Sequence, residues 1–284
     1  MQMQIWYKKG TFMCLFYCLS GLLTSTGTYA AVNNTADNFA CPAPHIERQA
    51  KIKYVHDGDT VTLDNGEKIR LIGINAPELA RPGEYRRGKY QRAKKAEPYG
   101  NAARNYLQKL LPHNTPVKLQ YGSRRKDHYG RSLAHLFLRN GKDIQLIMLQ
   151  QGLASALTIP PDTLFARCYR HAERQARHLH KGLWASKHSI LRSRQLKSGS
   201  RGFHLVAAKV TSIHRNRQGI WIHLGKRLTL GIRPADQPLF DKKLLASYLG
   251  KTILVRGWLN RGRHHSLYMR IRHPLSIELL KEAE

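Results

Sequence analysis

Residues 55–78 read VHDGDTVTLDNGEKIRLIGINAPE. Two short runs of alternating apolar side chains flank Asn65 and Gly66, a dipeptide that favours a two-residue type I′ turn between antiparallel strands. Such a hairpin brings Asp59, at the start of the first strand, beside Arg70 on the second. We therefore predict a β-hairpin whose open end gathers carboxylates and an arginine.

The composition predicts a folded protein with a polyanionic partner. The 284 residues include 48 Lys and Arg against 18 Asp and Glu, a formal net charge of +30, and 42% are hydrophobic. This length allows one large or two ordinary domains, and the hydrophobic content excludes a disordered chain. Nucleic acid is the first candidate partner, and an anionic membrane or glycan surface is the second. A basic protein that binds polyanions weakly and without purpose is the alternative.

Residues 1–30 have the pattern of a secretory signal peptide. Lys8 and Lys9 precede a short apolar run, and small residues stand at 28 and 30. The run is short for a membrane span, so we predict cleavage, export to a periplasm or the medium, and no stable membrane insertion afterwards. An uncleaved anchor is the alternative.

Two cysteines remain after cleavage. Loss of Cys14 and Cys18 leaves Cys41, in a predicted leader at 31–49, and Cys168. In an exported chain such a pair most simply forms one disulfide, and two separate buried thiols are the alternative.

The first half of the chain predicts a mainly β domain with packing helices, of the α+β class, at residues 50–185. Three strands, a helix, two strands and two helices give the order of a five-stranded OB-type barrel with three helices. The predicted strands are 52–56, 60–63, 68–74, 117–121 and 132–139, and the predicted helices are 101–111, 143–151 and 163–181.

A basic segment, 186–201, is interpreted as a linker to a second domain at 202–284. Three strands, a helix at 239–249 and two strands predict another small OB-like barrel. No Asp or Glu occurs between Phe203 and Ala235, so this domain cannot repeat the acidic cluster of the first. We interpret it as a basic nucleic-acid-binding module whose aromatic residues serve as base-stacking platforms or as core, namely Trp221, Tyr248, Trp258 and Tyr268.

Residues 79–97 hold seven Lys or Arg and few apolar side chains. Such a run is typical of a solvated loop. Because it directly follows the acidic cluster, an electrostatic guide for phosphate is the equally weighted alternative.

Oxygen ligands for a hard divalent cation are concentrated in the opening stretch. Asp57 and Asp59 lie two residues apart around Gly58, so both carboxylates can face one side of a strand or converge at a turn. Asn75 adds an amide oxygen and Ala76 a backbone carbonyl, and hard cations prefer such oxygens. These four residues are the predicted metal site.

Three further side chains suit phosphodiester hydrolysis. Glu78 is placed to accept a proton from an attacking water. Arg70 and Arg131 carry planar forks of donors that match phosphate oxygens. A cation and two arginines opposite a water-activating carboxylate would stabilise the charge that develops on the phosphate.

These residues also carry a resemblance to the thermonuclease, or staphylococcal nuclease-like, family. The matching motifs, in the family's order and spacing over residues 51–185, are VHDGDTV at 55–61, RLIGINAPE at 70–78, YG at 99–100, DHYGR at 127–131, QGLA at 151–154 and GLW at 182–184. The resemblance implies a five-stranded OB-type barrel and calcium-dependent hydrolysis of DNA and RNA to 3′-phosphate products. It implies that Asp59 ligates Ca²⁺ with Asp57 close by, and it assigns catalysis to Arg70, Glu78 and Arg131 and substrate contacts to His128 and Tyr129.

The sequence departs from the family pattern at two places. Asn75 stands where the family has a second calcium-binding carboxylate, so weaker metal binding, another ion preference or lower turnover is expected. The tyrosines that often follow QGLA are absent from 155–160. Nucleotide stacking is therefore expected to differ from the family's or to involve the second barrel.

The predicted function is an exported calcium-dependent nuclease that acts on DNA and/or RNA. A catalytically weakened or inactive nucleic-acid-binding protein of the same fold is the alternative. An envelope-associated protein that binds anionic glycans is a third interpretation. No protein partner is predicted.

Overall fold

A computed structural model describes residues 41–280, except 87, 88, 92, 94, 187, 188 and 263–265. The predicted signal peptide and the leader up to residue 40 lie outside the described residues. None of the helices in the described part of the chain is long and apolar enough to cross a membrane.

Five main strands and three helices form the first part of the chain, and small two-stranded sheets accompany them. In chain order the elements are β1 (Arg48–Asp57), β2 (Thr60–Leu63), β3 (Lys68–Leu71), β4 (Ile74–Asn75), β5 (Glu84–Arg86), β6 (Lys89–Gln91), α1 (Gly100–Leu110), β7 (Pro116–Lys126), β8 (Ser132–Leu138), α2 (Ile144–Gln150), β9 (Ser155–Ala156) and α3 (Ala166–His178). A closed barrel forms in the order β1-β2-β3-β8-β7, with β3 and β8 parallel. The predicted five-stranded OB-type barrel with three helices is confirmed.

The turn between β2 and β3 is not of type I′. Gly66 has a φ of 84°, and Asn65 is not among the described residues with positive φ. The Gly66 N–H donates to the Leu63 carbonyl at 2.9 Å, which fits a type I turn followed by a left-handed glycine. The register still sets Thr60 opposite Arg70, so the predicted convergence is kept despite the different turn.

Apolar side chains fill the barrel, and the helices close its ends. Ala103 and Leu107 of α1 are fully buried, and α2 begins after Asp143, whose carboxylate accepts the Leu146 N–H at 2.9 Å. Fully buried strand residues include Ile52, Val61, Leu63, Ile69, Leu119 and Leu136. Each such side chain stabilises the fold by about 1.5–3 kcal/mol, which gives the polar rim a rigid support.

The second part of the chain forms another barrel-like sheet. Its elements are β10 (Ile190–Arg192), β11 (Gly202–Lys209), β12 (Ser212–Asn216), β13 (Gly219–Leu224), β14 (Leu228–Ile232), α4 (Lys242–Ala246), β15 (Thr252–Arg261), β16 (Leu267–Arg270) and β17 (Ile277–Leu279). The strand order β12-β13-β14-β16-β15-β11, with β14 and β16 parallel, repeats the connectivity of the first barrel. β11 and β12 correspond to two halves of its β1, which confirms the predicted OB-like character.

Three segments differ from their predictions. The predicted loop 79–97 contains the β5–β6 hairpin, where the Tyr85 and Tyr90 rings lie 5.2 Å apart. The predicted linker 186–201 contains β10, which pairs with β11. The predicted helix at 239–249 is shortened to α4, which begins after Asp241, whose carboxylate accepts the Lys243 and Leu244 N–H groups.

Buried ion pairs join the two barrels, which belong to one compact unit. Glu173 of α3 accepts hydrogen bonds from Arg170 at 2.9 Å and from Arg256 of β15. Burial raises the pKa of Glu173, but the guanidinium groups of Arg256 and Arg170 outweigh it and lower the pKa to about 2. Glu278 of β17 pairs with Arg170 and Arg177, each at 2.7 Å. A set of buried charges this dense fixes how the barrels meet.

Candidate active site

The turn between β1 and β2 carries the two predicted metal-binding carboxylates. The Asp57 Oδ1 accepts a hydrogen bond from the Asp59 N–H at 3.0 Å. A Cβ atom at Gly58 would lie 2.6 Å from the Ala76 Cβ and 2.8 Å from the Ala103 Cβ. Only glycine allows this approach, so the packing against α1 brings the acidic turn next to Ala76.

Asp59 is buried, and three groups hold its carboxylate. Its Oδ2 accepts the Ala76 N–H at 2.9 Å and lies 3.0 Å from the Arg70 Nη2, and its Oδ1 accepts the Thr60 hydroxyl at 3.1 Å. Burial raises the pKa of Asp59 to about 6 against the opposing effect of Arg70, and Asp57 raises it further. The charge of this carboxylate is therefore only partly compensated, as expected of a cation ligand.

Arg70 is fixed by its place in β3. It lies opposite Thr60 on β2 and beside Leu133 on β8. Its Nη1 donates to the Leu71 carbonyl at 2.6 Å, and only 13% of its side chain is exposed. The guanidinium is thus set in one orientation before any substrate arrives.

Arg131 is oriented by Asp127. The Asp127 Oδ2 accepts the Arg131 Nε–H at 2.7 Å, and its Oδ1 accepts the backbone N–H groups of Tyr129 and Arg131 at 2.8 and 3.0 Å. Burial raises the pKa of Asp127, but the hydrogen bonds from Arg131 outweigh this effect and leave the pKa below its usual value. The Arg131 Nη1 donates to the Thr60 hydroxyl at 3.3 Å, so both arginines connect to Asp59.

Exposed rings lie beside Arg131. Tyr129 is 69% exposed, and its ring centroid is 3.7 Å from that of His128 and 5.4 Å from the Arg131 Cζ. Aromatic faces of this kind suit contact with a nucleobase.

Backbone pairing positions Asn75 and Glu78. β4 pairs with β9, which sets Asn75 opposite Ser155. The Glu78 N–H donates to the Glu97 Oε2 at 3.1 Å, and the Glu78 carboxylate pairs with Arg81 at the surface. A Cβ at Gly100 would lie 2.7 Å from the Glu78 carbonyl oxygen, so the start of α1 packs directly on the Glu78 backbone.

The predicted site residues converge on one cleft of about 300 Å³, whose lining includes Asp57, Asp59, Arg70, Asn75, Glu78, His128, Tyr129 and Arg131. Ala76 lies beneath it through its hydrogen bond to Asp59. Five other charged or aromatic lining residues are not among the site residues predicted from the sequence, namely Arg81, Arg124, Asp127, Asp162 and Trp258. Asp162 accepts the Ser123 N–H at 2.6 Å, whereas Trp258 comes from β15 of the second barrel. The sequence predicts Trp258 as one of several candidate stacking residues, but its position in this cleft results from the packing of the two barrels.

The oxygen donors of the cleft fit a hard cation such as Ca²⁺. The carboxylates of Asp57 and Asp59 and the amide of Asn75 share the lining, and calcium prefers such oxygens. Among the described residues, no three or more His, Cys, Asp or Glu side chains are grouped to hold a metal ion, so a cation here would also need amide and backbone oxygens.

A disulfide ties the leader to α3. Cys41 and Cys168 are bonded, with their Cα atoms 5.2 Å apart and a sequence separation of 127. In the chain-entropy account, closing a loop of this size stabilises the folded state by about 4–5 kcal/mol.

Comparison with known proteins places these features in a family. Residues 68–186 match the family model described as staphylococcal nuclease homologue. The chain is 32% identical over 136 residues to the thermonuclease of Staphylococcus intermedius, which covers 47% of this chain and 74% of that protein. It is 31% identical over 144 residues to the thermonuclease of Staphylococcus hyicus, covering 49% and 78%. With endonuclease YncB of Bacillus subtilis (strain 168) it shares 29% identity over 152 residues, covering 50% and 66%.

The fold, the composition of the cleft and these similarities agree. The chain belongs to the family of staphylococcal nuclease homologues.

Proposed function

We propose that this protein is an exported calcium-dependent nuclease that hydrolyses phosphodiester bonds of DNA and/or RNA and leaves 3′-phosphates. The observation that carries the proposal is the convergence of Asp59, Arg70, Glu78 and Arg131 on one cleft. A nuclease needs a cation ligand, fixed cations for the phosphate and a base for water, and these four side chains supply all three.

In the proposed reaction, Arg70 and Arg131 bind the oxygens of the scissile phosphate. Both guanidinium groups are held before substrate binds, Arg70 by Asp59 and Arg131 by Asp127, so little reorganisation is needed. Asp57, Asp59, Asn75 and the Ala76 backbone would hold Ca²⁺. When bound, the ion would neutralise charge on the phosphate.

Glu78 is the proposed general base. It takes a proton as a water oxygen attacks phosphorus and the bond to the 5′ oxygen breaks, and the leaving oxygen takes a proton from solvent, which gives a 3′-phosphate and a 5′-hydroxyl. The Glu78 side chain is 38% exposed and its partner Arg81 58% exposed. A surface pair of this kind costs little to separate, so Arg81 does not prevent Glu78 from accepting a proton.

The proposed domain assignment is a signal peptide at 1–30, a leader at 31–49, a nuclease domain at 50–185, a basic connecting segment at 186–201 and a basic nucleic-acid-binding domain at 202–284. The second domain would bind the backbone phosphates of the nucleic acid through its excess of Lys and Arg. The disulfide between Cys41 and Cys168 supports export, because such bonds persist in oxidising compartments.

A non-catalytic nucleic-acid-binding protein is the second candidate. Asn75 in place of an acidic ligand favours it, since the cation would meet one negative charge fewer. Anionic glycan binding is the third.

Incubation of the mature protein with plasmid and single-stranded DNA, in Ca²⁺ or in chelator, separates these functions. The nuclease proposal predicts cleavage in Ca²⁺ alone, with 3′-phosphate ends. Salt-sensitive DNA binding without cleavage would favour the second candidate, and preference for a sulfated glycan over DNA would favour the third.

A further inference from the structure

The cleft of the first barrel is completed by a strand of the second. Trp258 of β15 lines it together with Asp57, Arg70 and Tyr129. This residue lies outside the segment that matches the family model, which ends at 186.

The buried ion pairs at the barrel junction explain how Trp258 reaches the cleft. Arg256 is 2% exposed and pairs with Glu173, and its Nη1 also donates to the Ala156 carbonyl at 3.2 Å. Side chains two residues apart on a strand share a face, so Trp258 points to the same side of β15 as Arg256. The anchor on Glu173 therefore directs Trp258 toward the first barrel.

Neighbouring groups fix the indole yet leave much of it uncovered. Trp258 pairs in register with Phe203 of β11, and the two rings meet edge to face with centroids 5.2 Å apart. Even so, 43% of Trp258 remains exposed. A rigid, partly open indole in a polar cleft is suited to stack on a flat ligand.

The side chains around Trp258 indicate which class of planar ligand would bind there. After the QGLA motif, the first barrel offers the aliphatic residues Leu157 and Ile159 to the cleft instead of aromatic ones. The cleft also presents Arg70 and Arg131, which suit a phosphate. A base attached to a phosphate is the ligand that matches an indole beside two guanidinium groups.

Resting on the proposed nuclease function, we infer that Trp258 is a substrate-binding residue that stacks on a nucleobase next to the scissile phosphate. Bases inside a duplex are covered on both faces by their neighbours, so stacking on Trp258 requires an unpaired base. The second barrel thus makes the active site selective for single-stranded nucleic acid.

The test compares Trp258→Leu, Trp258→Phe and Tyr54→Leu with the wild type. Leucine keeps an apolar contact for Phe203 but removes the aromatic face, and phenylalanine retains a face. Tyr54 of β1 is 48% exposed and is not among the described residues lining the cleft, so Tyr54→Leu removes an exposed aromatic face elsewhere. Binding of a fluorescein-labelled single-stranded DNA and of the matching duplex is measured by anisotropy in chelator, and KM and kcat are measured in Ca²⁺.

Trp258→Leu is expected to weaken single-strand binding roughly 5- to 150-fold, the range for loss of one stacked base, and to raise KM more than it lowers kcat. Trp258→Phe and Tyr54→Leu should stay within about threefold of the wild type, and duplex binding should change little. Equal losses for single strand and duplex, or a Trp258→Leu variant that matches Tyr54→Leu, would overturn the inference.

A second readout does not depend on the folding of the leucine variant. Stacking should quench the intrinsic fluorescence of the wild type when single-stranded DNA binds, and the quench should disappear in Trp258→Phe. An unchanged quench in that variant would reject the assignment. If the wild type binds DNA but does not cleave it in Ca²⁺, the nuclease proposal fails, whereas the binding comparison in chelator still decides the role of Trp258.

Discussion

The Arg70 Nη2 lies 3.0 Å from the Asp59 Oδ2, so the proposed calcium ligand and a proposed phosphate-binding cation are in direct contact. Thr60 extends this contact, because its hydroxyl donates to Asp59 and accepts from Arg131. A single buried carboxylate therefore links both arginines, and the active site behaves as one electrostatic unit.

Replacing Arg70 tests whether hydrolysis needs both guanidinium donors of this side chain or only its positive charge. Arg70→Lys keeps the positive charge but loses the second donor to the phosphate, so kcat should fall by about 10²–10³. Arg125→Lys is the matched control, because Arg125 pairs with Glu47 and is 62% exposed. Steady-state rates on single-stranded DNA check both variants, and equal activities would remove Arg70 from the mechanism.

We expect Asn75 to influence the affinity for calcium. Asn75→Asp restores a negative charge among the oxygen ligands, so half-maximal activity should require roughly tenfold less Ca²⁺. Asn75→Ala should require more Ca²⁺ than the wild type. A calcium titration of the cleavage rate measures both shifts. If the aspartate variant requires as much Ca²⁺ as the wild type, Asn75 is not a ligand.

The Arg256–Glu173 pair should be essential for stability. Arg256→Ala leaves Glu173 buried next to one guanidinium fewer, and such losses cost about 3–5 kcal/mol of unfolding free energy. Arg215→Ala, at an exposed arginine of β12, should change it by less than about 0.5 kcal/mol. Denaturant titrations compare them, and similar midpoints would show that the junction is held by other contacts. Deletion of the second barrel would remove Arg256 together with all other contacts of that barrel, so point variants test this pair more directly.

Acid should weaken the fold through His135. Burial lowers the pKa of His135 to about 3 from 6.5, so the neutral ring is favoured in the folded state. The neutral ring contributes fully to the free energy of unfolding above pH 6.5, and this contribution is lost as the pH falls toward 3. By pH 5 the free energy of unfolding is lower by about 2 kcal/mol. In His135→Gln this part of the pH dependence should vanish, as measured by unfolding free energies at pH 7.5 and 5. Parallel pH profiles for the two proteins would contradict it.

Local patterns predicted what lies close in sequence. The alternating apolar residues around Asn65 and Gly66 correctly predict that Thr60 lies opposite Arg70, although the predicted turn type is wrong. The spacing of Asp57 and Asp59 likewise gave the acidic turn. The family resemblance predicts that Arg131, which is distant in sequence, belongs to the same site as Asp59. The periodicity of the strands alone does not predict that proximity.

What the sequence missed depends on non-local packing or on strands hidden by charge. Trp258 reaches the cleft through the packing of the two barrels, which includes the Arg256–Glu173 pair, and nothing in the residues around either one signals that pair. The β5–β6 hairpin and β10 lie in basic segments whose charged side chains conceal their strand character. Long Lys and Arg side chains keep their charges in water from a strand as easily as from a loop.

The most direct test of the proposed mechanism is the turnover of Glu78→Gln at saturating Ca²⁺, with DNA binding measured alongside. Loss of a general base lowers kcat by about 10²–10⁴. The predicted result is a drop of that size with an unchanged Kd for single-stranded DNA. Full activity of Glu78→Gln would contradict the proposed mechanism.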